Sequence, residues 1–265
     1  MVVIVRQFRN GDGEDYTLVS LRQIEYYLKI PLMDFQNLYG YDRVYIKHKP
    51  YKEMKMDVLM ILRISLGYEI LTTLPPFWVI FLLYRNSRKQ KGLVFSRYHV
   101  FAVLVFSVYV LGVYHFTGVG TLYDINRWQY IPEQINLIPF SNEIDIVAYI
   151  LNIVLFVPLG LLAPIIWKKM DKLINVLCAG FGFTLLIEVS QLLNFRSTDI
   201  DDVILNVLGA VVGFGVYKLL DKITKSKYWV NSPVTVELAM CILLGFVSRF
   251  FLYNEMGLMR LIYGF

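Results

Sequence analysis

The residues most able to do chemistry here are carboxylates and amides set inside long apolar runs, where such groups are expensive and therefore informative. Asn152 lies six residues after Ile146, Glu188 five before Leu193, and Asn206 six after Ile200. Each count runs from the same-sided end of an apolar run, so at helical rise the three groups sit about 7 to 9 Å below one membrane boundary. Spacing groups them further. Thr184, Glu188 and Gln191 follow i, i+4, i+7 and share one helical face, while Asp199, Asp202 and Asn206 follow i, i+3, i+7 and share another. Asp201 falls off that stripe and is expected to be solvated. Arg196 stands in the short connection between the two stripes and can reach either. Gly209 and Gly213 continue the second stripe as a GxxxG, which admits another helix closely just beneath the polar residues.

Singly, Thr184, Gln191 and Asn206 would serve equally well as helix-to-helix hydrogen bonds. Several carboxylates with one arginine suit that role less well and imply a water-accessible cavity, a bound cation or a charged ligand. Asp199 and Asp202, with Glu188, could hold a divalent cation through oxygen ligands. Alternatively Glu188 could act as a general base while Arg196 clamps phosphate or stabilises developing negative charge. No HExxH, GxSxG, Walker A or zinc-ligand spacing names a reaction, and no cofactor is identified. His48, His99 and His115 are scattered and read as non-catalytic.

The elements that position these groups follow from composition. The chain is 57% hydrophobic and 18% charged with a mean hydropathy of +0.53, whereas a soluble domain carries about 25% charged residues. Apolar spans fall near 66–84, 99–119, 146–166, 174–193, 200–220 and 232–252. An all-α polytopic membrane bundle of about six transmembrane helices is expected, because helices satisfy their own backbone hydrogen bonds in lipid. The net charge of +5 resides mostly in short loops, which argues for orientation signals and against nucleic acid as a partner. Segments 85–98, 167–173 and 221–231 are basic, and 120–145, 194–199 and 253–265 are not. The positive-inside rule then turns the polar cluster outward, in a multi-pass protein of the cell membrane. Cys178 and Cys241 lie in apolar spans and read as small buried residues.

The N-terminal part is less regular. Met1 to Tyr16 is polar, with Asp12, Glu14 and Asp15, so no signal peptide is expected. Residues 17–40 have helical apolar spacing and read as an amphipathic helix of an N-terminal tail over 1–65, on either side of the membrane. The segment 66–84 contains Glu69, Pro75 and Pro76, so it is either a full span or a kinked, re-entrant element.

Four motifs in order carry a resemblance. Asn136-Leu137-Ile138-Pro139-Phe140 precedes the third span, Asn152 to Gly160 opens it with Pro158, Glu188-Val189-Ser190-Gln191 ends the fourth, and Arg196 to Asp202 leads to Asn206, Gly209 and Gly213. Over 99–220 these resemble the VanZ-like family of bacterial membrane proteins. The resemblance implies a four-helix membrane core, flanked here by 66–98 (first span and basic loop) and 221–265 (last span and tail). It also implies a Gram-positive cell-envelope role connected with low-level resistance to teicoplanin, a lipid-tailed glycopeptide. The positions it carries over are Asn136, Pro139, Asn152, Pro158, Glu188, Gln191, Arg196, Asp199, Asp202, Asn206 and Gly209. Pro139 shapes a loop and Pro158 loosens its helix below Asn152. The expected partner is a membrane lipid, a lipid-linked wall precursor or a lipoglycopeptide held in an outward pocket. An enzyme acting on such a head group is the alternative. A lipid transporter comes third, since the cytoplasmic halves of the core spans are nearly free of charge.

Overall fold

The computed structural model describes residues 6–9, 15–20, 43–47, 51–92, 96–127, 134–141, 145–194, 198–224, 230, 236–254 and 257–258. The chain divides into two compact units, Met1–Gly67 and Tyr68–Phe265, with the boundary inside one helix. The first unit contains an antiparallel sheet in the order β1 (Arg6–Arg9), β2 (Asp15–Ser20), β3 (Arg43–Lys47). Its register pairs Phe8 with Tyr16 and Leu18 with Tyr45. The amphipathic helix expected over 17–40 is corrected at its start, because residues 17–20 are the central strand of this sheet. Thr17, Val19 and Tyr16 favour an extended backbone, and cross-strand pairing overrides a short helical periodicity. Residues 21–40 lie outside the described residues.

The second unit is helical. Its elements are α1 (Tyr51–Gln90, which begins in the first unit), α2 (Arg97–Thr117), α3 (Ile146–Ile166), α4 (Leu173–Gln191), α5 (Ile200–Thr224) and α6 (Val236–Leu252). Among the described residues five helices are long and apolar enough to cross a membrane, the first over Ile64–Gln90. Pro75 and Pro76 lie inside α1 without ending it, so the re-entrant reading of 66–84 gives way to one continuous helix. At 17 residues α6 is shorter, about 26 Å against a hydrocarbon core of about 30 Å.

Local signals set the helix ends. Ser96 caps α2 by accepting the N–H of His99 at 3.1 Å, and Asp145 caps α3 by accepting those of Val147 and Ala148 at 3.0 and 3.2 Å. Gly118 ends α2 in the left-handed region at φ 63°, where a Cβ would be strained. The core is aromatic. The Tyr114 and Phe156 rings both meet Phe183, at 5.4 and 5.3 Å, joining α2, α3 and α4. Outward faces are apolar too, with Ile146, Val147, Ile150, Leu151 and Val154 exposed along α3, as lipid contact requires. Cys241 is buried but Cys178 is exposed, correcting the expectation that both are buried.

One backbone contact matters most for function. A Cβ on Gly209 would lie 2.1 Å from the Ile153 carbonyl oxygen, and one on Gly213 would lie 2.0 Å from that of Val157. These two glycines let α3 and α5 touch backbone to backbone, which brings the polar residues above them within hydrogen-bond reach. At the opposite end of the bundle Glu237 Oε2 accepts Trp167 Nε1 at 3.0 Å and lies 2.8 Å from His99 Nε2, tying together α6, α3 and α2.

Candidate functional site

At the end of the bundle where α2 and α4 finish and α3 and α5 begin, two short strands meet. They are β4 (Ile135–Asn136) and β5 (Thr198–Asp199), paired in parallel with Asn136 opposite Asp199. The pairing is fastened to α4 from below. Glu188 Oε2 accepts the Asp199 N–H at 3.1 Å, and the Thr198 hydroxyl donates to the Glu188 carbonyl at 3.0 Å. That carbonyl belongs to the last turn of α4.

Amides orient the other carboxylates. Asn136 Nδ2 donates to both Asp199 oxygens, at 3.3 and 3.2 Å, and Asp199 Oδ1 also accepts the Asp201 N–H at 3.0 Å at the start of α5. One turn deeper Asn152 Nδ2 donates to Asp202 Oδ1 at 2.5 Å, across the close α3–α5 contact. A hydrogen bond to an ionised acceptor is roughly twice as strong as a neutral one and fixes its direction. Five of the expected residues therefore meet at one end of three helices: Asn136, Asn152, Glu188, Asp199 and Asp202. Glu188 is 2% exposed, while Asn136, Asn152, Asp199 and Asp202 are half-buried.

The remaining amides knit helices together. Asn206 Nδ2 donates to the Thr184 hydroxyl at 2.9 Å, and Gln191 Nε2 to the Thr117 carbonyl at 2.7 Å. Gln134 Nε2 in turn donates to the Gln191 carbonyl at 3.2 Å. Asn206 Oδ1 and Gln191 Oε1 are buried acceptors with no hydrogen-bond partner among the described residues. Arg196 lies outside the described residues. Among the described residues no three His, Cys, Asp or Glu side chains stand where one metal ion could be shared, so Glu188, Asp199 and Asp202 do not form a ready metal cluster.

Asp201 corrects the expectation of a solvated side chain: it is 2% exposed. Its Oδ1 accepts the Phe140 N–H at 2.8 Å and its Oδ2 accepts the Tyr149 hydroxyl at 2.6 Å. Helical periodicity put it off the polar stripe, and it is off that stripe. What faces it there is the 136–141 turn and the start of α3, which no periodicity in α5 can announce. Tyr149 is a further residue of this network that the sequence did not single out.

A second buried polar group was also missed. Glu69 on α1 receives Arg249 Nε of α6 at 2.6 Å on Oε1 and faces His115 Nδ1 of α2 at 2.7 Å on Oε2. Arg249 Nη1 also donates to the Val119 carbonyl, and its guanidinium stacks over the Tyr253 ring at 4.8 Å. The available signal was the one used for the core: isolated ionisable residues at similar depth in three apolar runs. The carbonyls of Thr117, Gly118 and Val119 are thus claimed in turn by Gln191, Asn194 and Arg249.

Residues 101–221 match the family described as VanZ/LLP1. Protein VanZ of Enterococcus faecium is 28% identical over 125 residues, which are 45% of this chain and 74% of that protein. No solved structure gives a significant match.

Proposed function

We propose that the chain, whose residues 101–221 match VanZ/LLP1 and whose helices are long and apolar enough to span a membrane, acts at the cell envelope by binding the polar head of an amphipathic ligand. The ligand class is a lipoglycopeptide such as teicoplanin, a lipid-linked wall precursor or a phospholipid. The observation that carries this reading is the meeting of Asn136, Asn152, Glu188, Asp199 and Asp202 at one end of helices whose outer faces are apolar. A head group would meet oriented carboxylates and amides while its tail remained beside lipid-facing side chains. The basic residues Arg88, Lys89, Arg97, Lys168, Lys169 and Lys222 lie at the other end, and by the positive-inside rule they support an outward-facing cluster.

The test uses purified protein in nanodiscs, titrated separately with teicoplanin, a lipid-linked wall precursor and phosphatidylglycerol. One of these binds, Glu188→Gln and Asp202→Asn abolish the binding, and the same variants change teicoplanin sensitivity of cells. Absence of binding by all three, with unchanged sensitivity, would overturn the proposal. An enzyme acting on the same head group is the second reading, favoured by one observation: Glu188 is buried yet reaches the backbone of half-buried Asp199. Asp199 and Asp202 are held by different amides, those of Asn136 and Asn152. Mass spectrometry of lipids incubated with the wild type and Asp202→Ala, with and without a divalent cation, separates the readings. A product from the wild type alone supports the enzyme, and none from either removes it.

A further inference from the structure

The turn from Asn136 to Ser141 has two sides of opposite character. Its polar groups are bonded within the protein: the Ile138 N–H donates to Asn136 Oδ1 at 3.1 Å, the Phe140 N–H to Asp201 Oδ1 at 2.8 Å, and the Ser141 hydroxyl to the Ile138 carbonyl at 2.8 Å and Asn136 Oδ1 at 3.0 Å. Pro139, between them, has no N–H to satisfy. Its apolar groups point outward: Leu137 and Ile138 are each 69% exposed and Phe140 is 52% exposed.

Three adjacent large apolar side chains in a water-facing loop would be an unusual surface. Here the patch is not isolated. Phe140 packs its ring on Tyr149 of α3 at 6.2 Å, and α3 continues directly into the exposed Ile146, Val147, Ile150 and Leu151 of its lipid-facing side. Earlier in the same connection the 3₁₀ turn Leu122–Arg127 also exposes Leu122, Tyr123 and Ile125. Backbone enters lipid only where its N–H and C=O groups are bonded within the protein. For its N–H donors the turn meets that condition at 138 and 140 by bonding and at 139 by having no donor, and the Ile138 carbonyl accepts the Ser141 hydroxyl. Phe140 adopts φ 54°, in the left-handed region that a bulky residue rarely enters. That conformation is held while its N–H reaches Asp201 and its ring reaches Tyr149.

We propose that the Asn136–Ser141 turn is inserted into the lipid leaflet, with Leu137, Ile138 and Phe140 among the acyl chains, as the membrane-facing wall of the polar cluster. The placement rests on the proposed function only for which leaflet is meant. Its partner is bilayer lipid, since the patch continues the lipid-facing surface of α3.

The experiment places a single cysteine at Leu137 or Ile138 in a Cys178→Ser, Cys241→Ser background and labels it with an environment-sensitive fluorophore. The protein is reconstituted in phosphatidylcholine–phosphatidylglycerol vesicles containing lipids spin-labelled on the acyl chain. Lys169→Cys, exposed at the other end of the bundle, is the aqueous control. The labels at 137 and 138 show blue-shifted emission, quenching by the spin-labelled lipids and protection from iodide relative to the control. Water-like emission with iodide quenching at both positions, as for a surface that docks a soluble protein, would overturn the proposal. Two positions keep the outcome decisive if one variant fails to fold. No ligand is added, so absence of head-group binding leaves this result standing, and a water-exposed label leaves the binding proposal intact.

Discussion

Among the described residues two polar groupings lie near one end of the helical unit, and they are built differently. In the first, Asp199 and Asp202 are held by the side-chain amides of Asn136 and Asn152 and are half-buried. In the second, Glu69 is held by a guanidinium and an imidazole and is shut away from solvent with Arg249. An amide sets where a carboxylate points without altering its charge, whereas an arginine cancels that charge in place. The first arrangement is what presenting a carboxylate to a ligand requires. The second is what packing ionised groups within an apolar bundle requires. They also differ in their place along the chain: the amide–carboxylate pairs lie within the stretch matching VanZ/LLP1, while Glu69 and Arg249 lie outside 101–221. The flanking helices thus reach the domain through Val119 and His115.

The comparison can be broken most directly at the buried ion pair. Arg249→Met removes the guanidinium from buried Glu69, leaving His115 beside it, and is expected to cost about 3–5 kcal/mol of stability, read as thermal unfolding in detergent, with head-group binding unchanged. The double variant Glu69→Leu, Arg249→Met recovers much of this loss, because no charge is then left unpaired. Gly209→Val comes next. Its Cβ meets a backbone carbonyl at 2.1 Å, so α3 and α5 must separate at about 1–3 kcal/mol, and a disulfide or spin-label distance between the helices lengthens. Asp201→Ala removes the acceptor for Phe140 and Tyr149; a loss near 1.5 kcal/mol and faster proteolysis of the 136–141 turn are expected. Asp202→Asn is the smallest in stability, under about 1 kcal/mol, since an amide can still pair with Asn152, yet it removes ligand binding. If Asp202→Asn proved as destabilising as Arg249→Met, the contrast between a presenting and a packing site would fail.

Much of this was legible in the residues. Equal depth on three spans identified Asn152, Glu188 and Asn206, and the GxxxG at Gly209 and Gly213 identified the close helix contact, because both depend only on helical geometry and bilayer thickness. The residue Asp201 was misplaced for the complementary reason. Its partners are 52 and 61 positions away in the chain, and periodicity within α5 carries no information about the turn that folds over it. Likewise the strand at 15–20 was hidden by a periodicity that cross-strand pairing overruled.

Sequence by itself determined that this is a multi-pass helical membrane protein, where its four core helices fall and which polar groups share a depth. These follow from the cost of polar groups in lipid and the fixed rise of a helix. Only the tertiary structure decided who holds whom: Asn136 on Asp199, Asn152 on Asp202, Asp201 under the turn, and Glu69 between His115 and Arg249. Side-chain hydrogen bonds act over about 3 Å, and the chain brings such partners together only after the helices have packed.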